Sequence, residues 1–258
     1  FTILIFILFI NNVSSQIDIV HPPNWWIGFE NKTLQILVKG EKISKYNVSV
    51  NYHGVSLKQV HKADSENYLF IDLNISNHTK PGTFKLKFNK ANDELIHNFK
   101  LSNKRELNTQ SNGFDSSDVI YLITPDRFAN GNYSNDIKKG LKENKINRDD
   151  NYARHGGDLQ GISKNMDYLE SMGFTSIWLN PVLINDMKEG SYHGYATTDY
   201  YTVDPRLGTM EDYLNLSTIA EKNNIKLIKD IIVNHCGLYH WWMEDLPFND
   251  WLNYQEIY

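Results

Sequence analysis

The stretch Val119-Ile120-Tyr121-Leu122-Ile123 is a run of five apolar residues in the middle of the chain. A continuous apolar run of this length predicts a parallel β-strand that is covered on both faces. Two similar runs follow, at Phe174–Leu179 and Leu227–Val233. These three runs are the expected strands of the second half of the chain.

Helical patterns lie between the three runs. Four apolar residues recur at helical spacing, and they are Ile162, Met166, Leu169 and Met172. Gly173 follows them as a helix stop. A second helix is predicted from Thr209 to Asn223, because Thr209 and Asp212 have the spacing of a capping box. Strands that alternate with helices in this way predict a parallel sheet.

A parallel sheet of this kind is either an open doubly wound sheet or part of a closed barrel. Doubly wound nucleotide-binding domains carry a glycine-rich phosphate loop after a strand, and no such loop follows these strands. A (β/α)8 TIM barrel takes about 250 residues, which is more than residues 118–258 supply. The sequence therefore predicts the first part of a (β/α)8 TIM barrel, about three strands long and truncated at residue 258.

The first half of the chain has a different texture. Short runs alternate apolar and polar residues with a period of two, and turn formers such as Lys80-Pro81-Gly82 separate them. Strands with this spacing and no helical period between them predict an Ig-like antiparallel β-sandwich over residues 16–102. Residues 103–117 are polar and rich in Asn and Ser, which predicts a linker.

The first residues of the chain read as an export signal. Phe1–Ile10 is almost wholly apolar but too short to span a bilayer, and Val13-Ser14-Ser15 supplies the small residues that a signal peptidase needs. The prediction is a signal peptide over residues 1–15 and a secreted or periplasmic protein. The alternative is a buried first strand. Cys236 is the only cysteine, so no intramolecular disulfide is expected.

Composition excludes some classes of partner. The 31 acidic residues outnumber the 26 Lys and Arg residues, so no basic patch points to nucleic acid or to an anionic membrane. The chain also has 15 Tyr and 6 Trp. Such flat, amphipathic rings suit stacking on sugars, although large cores use them too.

Polar residues cluster where the third strand ends. Asp230, Asn234 and His235 lie there, and in a (β/α)8 barrel the functional residues lie at the C-terminal ends of the strands. A carboxylate, an amide and an imidazole can bind a polyhydroxy ligand by directed hydrogen bonds. The alternative is an Asp that caps backbone groups beside a solvent-exposed His.

The segment 230–235 reads Asp-Ile-Ile-Val-Asn-His, and it resembles the first signature region of glycoside hydrolase family 13, the α-amylase family. Its neighbours agree with the family in order and spacing over roughly residues 118–245. The other matching segments are Tyr121–Phe128, His155–Gly161, Trp178–Pro181, His193–Tyr195, Thr198–Tyr201 and Val203–Thr209. Each motif is short, but together they are specific.

The resemblance implies an α-glucan substrate and assigns four substrate-binding residues. Tyr195 is the aromatic platform under the sugar at the cleavage subsite, and His193 and His235 bind hydroxyls of that sugar. Asp230 orients the region of the nucleophile. Family members use a retaining mechanism, with two carboxyl groups about 5 Å apart. Those carboxylates come from later strands, so the resemblance implies that this fragment holds no catalytic residue and is inactive.

A calcium ion is also implied, by resemblance to the neopullulanase and cyclomaltodextrinase subgroup. The expected ligands are oxygen donors, and they are Asn130, Asn132, Asn135, Asp136, Gly156 and Asp158. Amide and backbone oxygens serve Ca²⁺ as well as carboxylates do. Asn132 stands where an Asp is commoner, which removes one formal charge. The alternative is an Asn- and Gly-rich turn without a metal.

The predicted sandwich resembles the N-terminal domain of the same subgroup, including its aromatic stretch Pro22-Pro23-Asn24-Trp25-Trp26. The resemblance implies a homodimer formed through this domain. Trp25 and Trp26 are expected to serve packing rather than direct sugar binding.

The leading hypothesis is therefore a glycoside hydrolase that cleaves α-glucosidic bonds in maltodextrin, cyclodextrin, pullulan or starch. A transglycosylase or branching enzyme of the same fold is one alternative. A non-catalytic glucan-binding protein is the other.

Overall fold

The computed structural model describes residues 16–104 and 113–253. The predicted signal peptide lies outside these residues, and so do residues 105–112 of the predicted linker. The described chain groups into two compact units, the first with residues 16–104 and 246–253 and the second with residues 113–245. No helix among the described residues is both long and apolar enough to cross a membrane.

The first unit is the predicted β-sandwich. Its two four-stranded sheets have the orders β1-β3-β6-β5 and β2-β8-β7-β4. The strands are β1 (Ile17–His21), β2 (Asn24–Ile27), β3 (Thr33–Gly40), β4 (Asn47–Val50), β5 (Val55–Lys62), β6 (Tyr68–Ile75), β7 (Gly82–Lys90) and β8 (Asp93–Asn103). Neighbouring strands pair antiparallel except β2 and β8, which are parallel.

Alternation along the sandwich strands builds the core of this unit. In β7, for example, Phe84, Leu86 and Phe88 are buried. A pleated strand places every second side chain on the same face, so these three residues point into the core together. Trp25 packs against this core, whereas Trp26 is 41% exposed.

The second unit contains the predicted three-stranded parallel sheet, in the order β13-β10-β9. Helices and a short hairpin connect its strands. The elements are β9 (Ile120–Ile123), α1 (Pro125–Phe128), α2 (Leu159–Lys164), α3 (Met166–Ser171), β10 (Ser176–Leu179), β11 (Leu183–Ile184), β12 (Asp199–Val203), α4 (Met210–Lys222) and β13 (Lys226–Lys229). This arrangement is the first part of a (β/α)8 barrel.

The apolar run predicts that β9 is covered on both faces, but only one face is covered. Ile123 is buried in the core that the helices cover, but Ile120 and Leu122 are 39% and 53% exposed. Trp178 of β10 is exposed in the same alternating way. The helices cover only one face of this three-stranded sheet. The prediction that both faces are covered is therefore wrong for the described residues.

The first predicted helix is divided into α2 and α3. The break lies at Asn165, whose Nδ2 donates a hydrogen bond to the Gly161 carbonyl at 2.8 Å. An Asn side chain that bonds to nearby backbone competes with helix continuation. Met172 caps α3 and is 57% exposed, whereas Ile162, Met166 and Leu169 of the same apolar series are buried.

The third strand is shorter than predicted, since β13 ends at Lys229 rather than at Val233. Its neighbour β10 ends at Leu179, opposite Lys229, and the next two residues are Asn180 and Pro181. A proline has no N–H for a strand ladder. Asp230 therefore follows the strand directly, and the chain beyond it is irregular.

The second predicted helix is confirmed as α4. Thr209 is its N-cap, and both reciprocal hydrogen bonds of the capping box with Asp212 are present. Leu216 and Ala220 are the buried residues of this helix. The cap therefore fixes the start of the helix from a local signal in the sequence.

A candidate substrate wall and a candidate cation loop

Two loops at the C-terminal edge of the parallel sheet bring the predicted substrate residues together. Asp230 follows β13 directly, and a 3₁₀ turn over Ser191–His193 lies between β11 and β12. Gly194 ends this turn with φ +82°, and a Cβ there would lie 2.1 Å from the Pro181 carbonyl oxygen. Only glycine fits this close approach.

Asp230 connects side chains from two other segments. Its Oδ2 accepts a hydrogen bond from the Tyr195 hydroxyl at 3.0 Å and another from Nε1 of Trp178 at 3.1 Å. Burial raises the pKa of the Tyr195 phenol above its ordinary value, and the hydrogen bond to Asp230 and its negative charge raise it further. Tyr195 therefore stays neutral and donates to Asp230.

His193 and Tyr195 form a stacked pair. Their ring centroids are 5.8 Å apart with an angle of 22° between the planes, and the Tyr195 amide donates to Nδ1 of His193 at 2.9 Å. This bond makes Nδ1 an acceptor, so the proton of the neutral ring is on Nε2. Burial lowers the pKa of the His193 imidazole below its ordinary value, and the Glu143 carboxylate opposes that shift.

His235 joins the same group through the backbone. Its Nε2 lies 3.0 Å from the Tyr195 carbonyl oxygen, and Nδ2 of Asn234 lies 3.1 Å from its Nδ1. A carbonyl accepts and an amide nitrogen donates, so Nε2 carries the proton of this ring. Tyr200 donates its hydroxyl to the His235 carbonyl oxygen.

We call His193, Tyr195, Asp230 and His235 the substrate wall. These four residues, which the family resemblance assigns to substrate binding, are joined by hydrogen bonds and by one ring stack. The wall offers an aromatic face, a carboxylate and two imidazoles. Polar groups converging beside an aromatic ring are suited to a polyhydroxy ligand such as a sugar.

Sequence reasoning gave no role to two further residues of this region. Trp178 donates to Asp230, and Nδ2 of Asn180 donates to the His193 carbonyl oxygen at 3.3 Å. Both stand at the end of the second predicted strand. The alternation along β10 is the signal that could have found Trp178, because its neighbours Ile177 and Leu179 are buried against the helices.

The predicted cation ligands also lie together, in a loop that the buried Asp158 organises. One oxygen of this carboxylate accepts hydrogen bonds from the amides of Gly131 and Gly161, at 3.1 and 2.6 Å. The other accepts from the Asn132 amide at 2.8 Å and from Nδ2 of Asn135 at 3.3 Å. Through these hydrogen bonds Asp158 holds residues 131–135 next to the start of α2.

Two buried side-chain oxygens of this loop have no hydrogen-bond donor within the described ranges. The Oδ1 atoms of Asn130 and Asn135 are buried and have no partner among the described residues. Asn130 donates its Nδ2 to Asp136 at 2.6 Å, and a Cβ on Gly156 would lie 3.0 Å from both side chains. A buried polar oxygen without a partner is costly.

The residues present therefore fit a hard cation such as Ca²⁺, which takes amide, carbonyl and carboxylate oxygens. Asn132 and Asp158 differ from the rest of the predicted set, since backbone or hydroxyl donors already occupy their oxygens. No group of three or more His, Cys, Asp or Glu residues that could hold a metal occurs in the described ranges.

Two protein-family models match the chain. The model of the α-amylase catalytic domain matches residues 122–256, and the model of the cyclomaltodextrinase N-terminal domain matches residues 19–105. The first match covers more than half of the chain. The two matches fall on the barrel segment and on the sandwich.

Individual relatives agree with the models. A β/α-amylase of Paenibacillus polymyxa is 44% identical over 137 residues, which are 53% of this chain and 11% of that protein. A cyclomaltodextrinase of Thermoanaerobacter pseudethanolicus is 37% identical over 145 residues, 54% of this chain and 24% of that protein. The chain thus spans a quarter or less of the length of these relatives.

Among solved structures, an α-amylase of Anoxybacillus is 44% identical with a TM-score of 0.45, and the match covers 50% of this chain and 26% of that one. With the motifs at the strand ends and the two family models, the conclusion is direct: the chain belongs to the α-amylase family, glycoside hydrolase family 13, and carries an N-terminal domain of the cyclomaltodextrinase type.

Proposed function

We propose that the protein to which this chain belongs cleaves α-glucosidic bonds in maltodextrin, cyclodextrin, pullulan or starch, and that this chain supplies one wall of its substrate site. The observation that carries the proposal is the substrate wall. Tyr195 and Asp230 are hydrogen-bonded, His193 stacks on Tyr195, and His235 bonds to the Tyr195 carbonyl.

Each residue of the wall has a role in this proposal. The ring of Tyr195 packs under the apolar face of a glucose unit, and the two imidazoles bind its hydroxyls. Asp230 holds the Tyr195 ring at a fixed angle through its hydroxyl. A ring that is held before the ligand arrives loses less conformational entropy on binding.

Bond cleavage itself needs two carboxyl groups about 5 Å apart in a retaining mechanism. We propose that these groups, a nucleophile and an acid/base, are supplied outside these 258 residues and that this chain alone does not hydrolyse glucans. Relatives named cyclomaltodextrinase, maltogenic α-amylase and neopullulanase support a glucan hydrolase over the alternatives.

The binding part of the proposal is tested on the 258-residue chain by isothermal titration with maltotriose, with cellotriose as the control. We expect saturable binding of maltotriose alone, with a Kd on the order of millimolar for one wall of a site. Equal binding of the β-linked cellotriose, or no binding of either sugar, would overturn it.

The chemical part is tested on a longer protein that includes the following strands. We expect this protein to hydrolyse starch, pullulan or cyclodextrin and to release the α-anomer of the product. Proton NMR during the reaction identifies the anomer. A β-anomeric product would exclude the retaining mechanism. Glucan transfer without net hydrolysis would favour the transglycosylase, and absence of any reaction would favour the non-catalytic glucan-binding protein.

We also propose that the loop around Asp158 binds Ca²⁺. Bound there, the ion would supply positive charge to the partnerless oxygens of Asn130 and Asn135 and would join Asp136 and Gly156 to them. Its contribution is structural, because it holds the loop that precedes α2. Asp158 itself keeps the loop backbone in place.

Export and dimerisation complete the proposal. We propose that the mature protein begins at Gln16, which N-terminal sequencing of exported protein would test. We propose a homodimer through the sandwich, which light scattering after gel filtration would test. A retained N-terminus, or a monomeric mass at all concentrations, would contradict the corresponding statement.

A further inference from the structure

Ser191 is the first residue of the 3₁₀ turn that contains His193, and side chains bind its backbone on both sides. Its amide donates to Oε2 of Glu143 at 2.8 Å, across 48 positions of sequence. Its carbonyl oxygen accepts from Nδ2 of Asn185 at 3.1 Å. Ser191 is buried and Glu143 is half-buried, so both bonds are at least partly shielded from water. The backbone that presents His193 is therefore held by Asn185 of its own loop and by Glu143 from a separate segment.

Glu143 is itself fixed in place. Its carbonyl oxygen accepts from Nη1 of Arg206 at 2.9 Å, and the amide of the preceding Lys142 donates to Asp186 at 2.7 Å. Arg206 is fully buried and forms a two-pronged pair with Asp204, at 2.9 and 2.7 Å. A guanidinium in such a fork has a fixed direction. The Arg206–Asp204 pair therefore holds the backbone of Glu143 in place.

The same arginine reaches the other partner of Ser191. Nη2 of Arg206 donates to the Asn185 carbonyl oxygen at 2.9 Å, and the Asn185 amide donates to Asp204 at 3.3 Å. Arg206 therefore joins Glu143 and Asn185, which together hold both polar backbone groups of Ser191. This network ends at Ser191, in the same 3₁₀ turn as His193, whose ring stacks on Tyr195.

The hydrogen bond from the Ser191 amide to Glu143 differs from the Ser191–Asn185 bond because its acceptor is a charged carboxylate. A carboxylate that accepts a backbone N–H makes a charge-assisted bond, roughly twice as strong as a neutral one. The same charge acts on the imidazole of His193, where it opposes the effect of burial on the pKa. Glu143 thus acts on the turn in two separable ways.

We propose that Glu143 is a positioning residue of the substrate wall: its carboxylate fixes the 3₁₀ turn that presents His193 against Tyr195, and so sets the affinity of the wall for a glucose unit. This inference rests on the proposed function of the wall. Glu143 lies between the matching segments Tyr121–Phe128 and His155–Gly161 and belongs to neither of them.

The test compares Glu143→Ala and Glu143→Gln in the 258-residue chain, with Glu189→Gln as the control. Glu189 is exposed on the loop just before the turn, so its variant removes the same charge from nearby. Three quantities are measured: the hydrogen exchange rate of the Ser191 amide, the titration of the His193 imidazole by NMR, and the Kd for maltotriose.

Glu143→Ala should speed Ser191 exchange and weaken maltotriose binding about tenfold, since a bond to a charged group is lost. Glu143→Gln keeps an oxygen acceptor, so it should restore slow exchange and bring the Kd within about threefold of the parent. Both variants should lower the pKa of His193, because both remove the carboxylate charge. Glu189→Gln should leave exchange and Kd unchanged.

An Ala variant with fast Ser191 exchange but the parental Kd would overturn the positioning role. So would a Gln variant that binds as weakly as the Ala variant despite slow exchange. If the parent chain binds no maltotriose, the proposed function fails. The positioning of His193 is then judged from Ser191 exchange and the His193 resonance, which need no ligand, and unchanged values in Glu143→Ala would overturn it.

Discussion

The hydroxyl of Tyr195 lies 3.0 Å from Oδ2 of Asp230, although 35 positions of sequence separate the two residues. Asp230 follows β13, and Tyr195 follows the 3₁₀ turn between β11 and β12. The contact joins the ends of two segments that the sequence treats as separate motifs. It holds the tyrosine ring in one orientation beside His193.

The Tyr195 ring is expected to contribute to sugar affinity through its face rather than its hydroxyl. Tyr195→Ala should weaken maltotriose binding about tenfold, because a stacked aromatic contact contributes about 0.5–1.5 kcal/mol beyond the buried area. Tyr195→Phe keeps the ring and should weaken binding less. Isothermal titration measures both, with Tyr168→Ala on the exposed side of α3 as the control. An unaffected Tyr195→Ala variant would contradict the platform role.

Acid is expected to destabilise the second unit through His193. The pKa of this imidazole is lowered in the folded chain by burial, so folding favours the neutral ring. Its contribution to stability is present above the ordinary pKa of about 6.5 and is lost as the pH falls toward the folded pKa. His193→Gln should therefore show a smaller loss of unfolding free energy between pH 8 and pH 5. Urea unfolding followed at 222 nm measures the difference, and parallel pH curves for the two proteins would be inconsistent with this effect.

The capping box of α4 offers a test of local stability. Thr209→Ala removes the side-chain oxygen that accepts a hydrogen bond from the Asp212 amide. This change should lower the free energy of unfolding by about 1 kcal/mol. Thr218→Ala is the matched control, since its hydroxyl donates to the Leu214 carbonyl within the same helix and satisfies no free N–H group. Urea unfolding followed by helical circular dichroism compares them. Equal losses in the two variants would show that the cap itself contributes nothing.

Arg206 is expected to contribute strongly to the stability of the second unit, because it is fully buried and paired with Asp204. Burial opposes ionisation of the Asp204 carboxyl, but the hydrogen bonds and charge of Arg206 outweigh it and lower the pKa. Arg206→Met leaves that carboxylate buried without its partner, which should cost about 3–5 kcal/mol of unfolding free energy. Arg148→Met, at an exposed arginine, is the control and should change stability by less than about 0.5 kcal/mol. A loss below about 1 kcal/mol for Arg206→Met, measured in urea, would contradict the assignment.

Calcium binding is expected to raise the midpoint of thermal unfolding. An ion at a concentration 100 times its Kd stabilises the folded state by about 2.7 kcal/mol. Removal of the ion by a chelator should lower the midpoint for the parent and much less for Asp136→Asn, whose loop has lost a carboxylate ligand. Asp149→Asn, an exposed acid in the same long connection, should behave like the parent. A midpoint that does not respond to chelator would count against the site.

Local signals in the sequence were sufficient for several elements. The capping box of Thr209 and Asp212 defined the start of α4, because both partners lie within one helical turn. The alternation in β7 was equally local, since a strand has a period of two. Asp230 and His235 could be placed together because both follow the third strand. His193 and Tyr195 joined them only through the family resemblance.

Other features depended on residues far apart in the chain. The length of β13 was decided by its neighbour, which ends at Leu179 and offers no further ladder partner. The break at Asn165 followed from a side-chain bond to Gly161 that the apolar periodicity does not register. Trp178 contacts the wall through its hydrogen bond to Asp230, 52 positions further along the chain.

The sequence by itself determined the order of the three parallel strands and their helices and the family, and it named the four candidate residues of the substrate wall, because periodicity, caps and short motifs are properties of neighbouring positions. The tertiary structure decided which residues hold that wall. Glu143 reaches Ser191, Arg206 supports both Glu143 and Asn185, and Asp158 gathers its loop. Each of these bonds joins separate segments, and hydrogen bonds between distant segments exist only after the chain has folded.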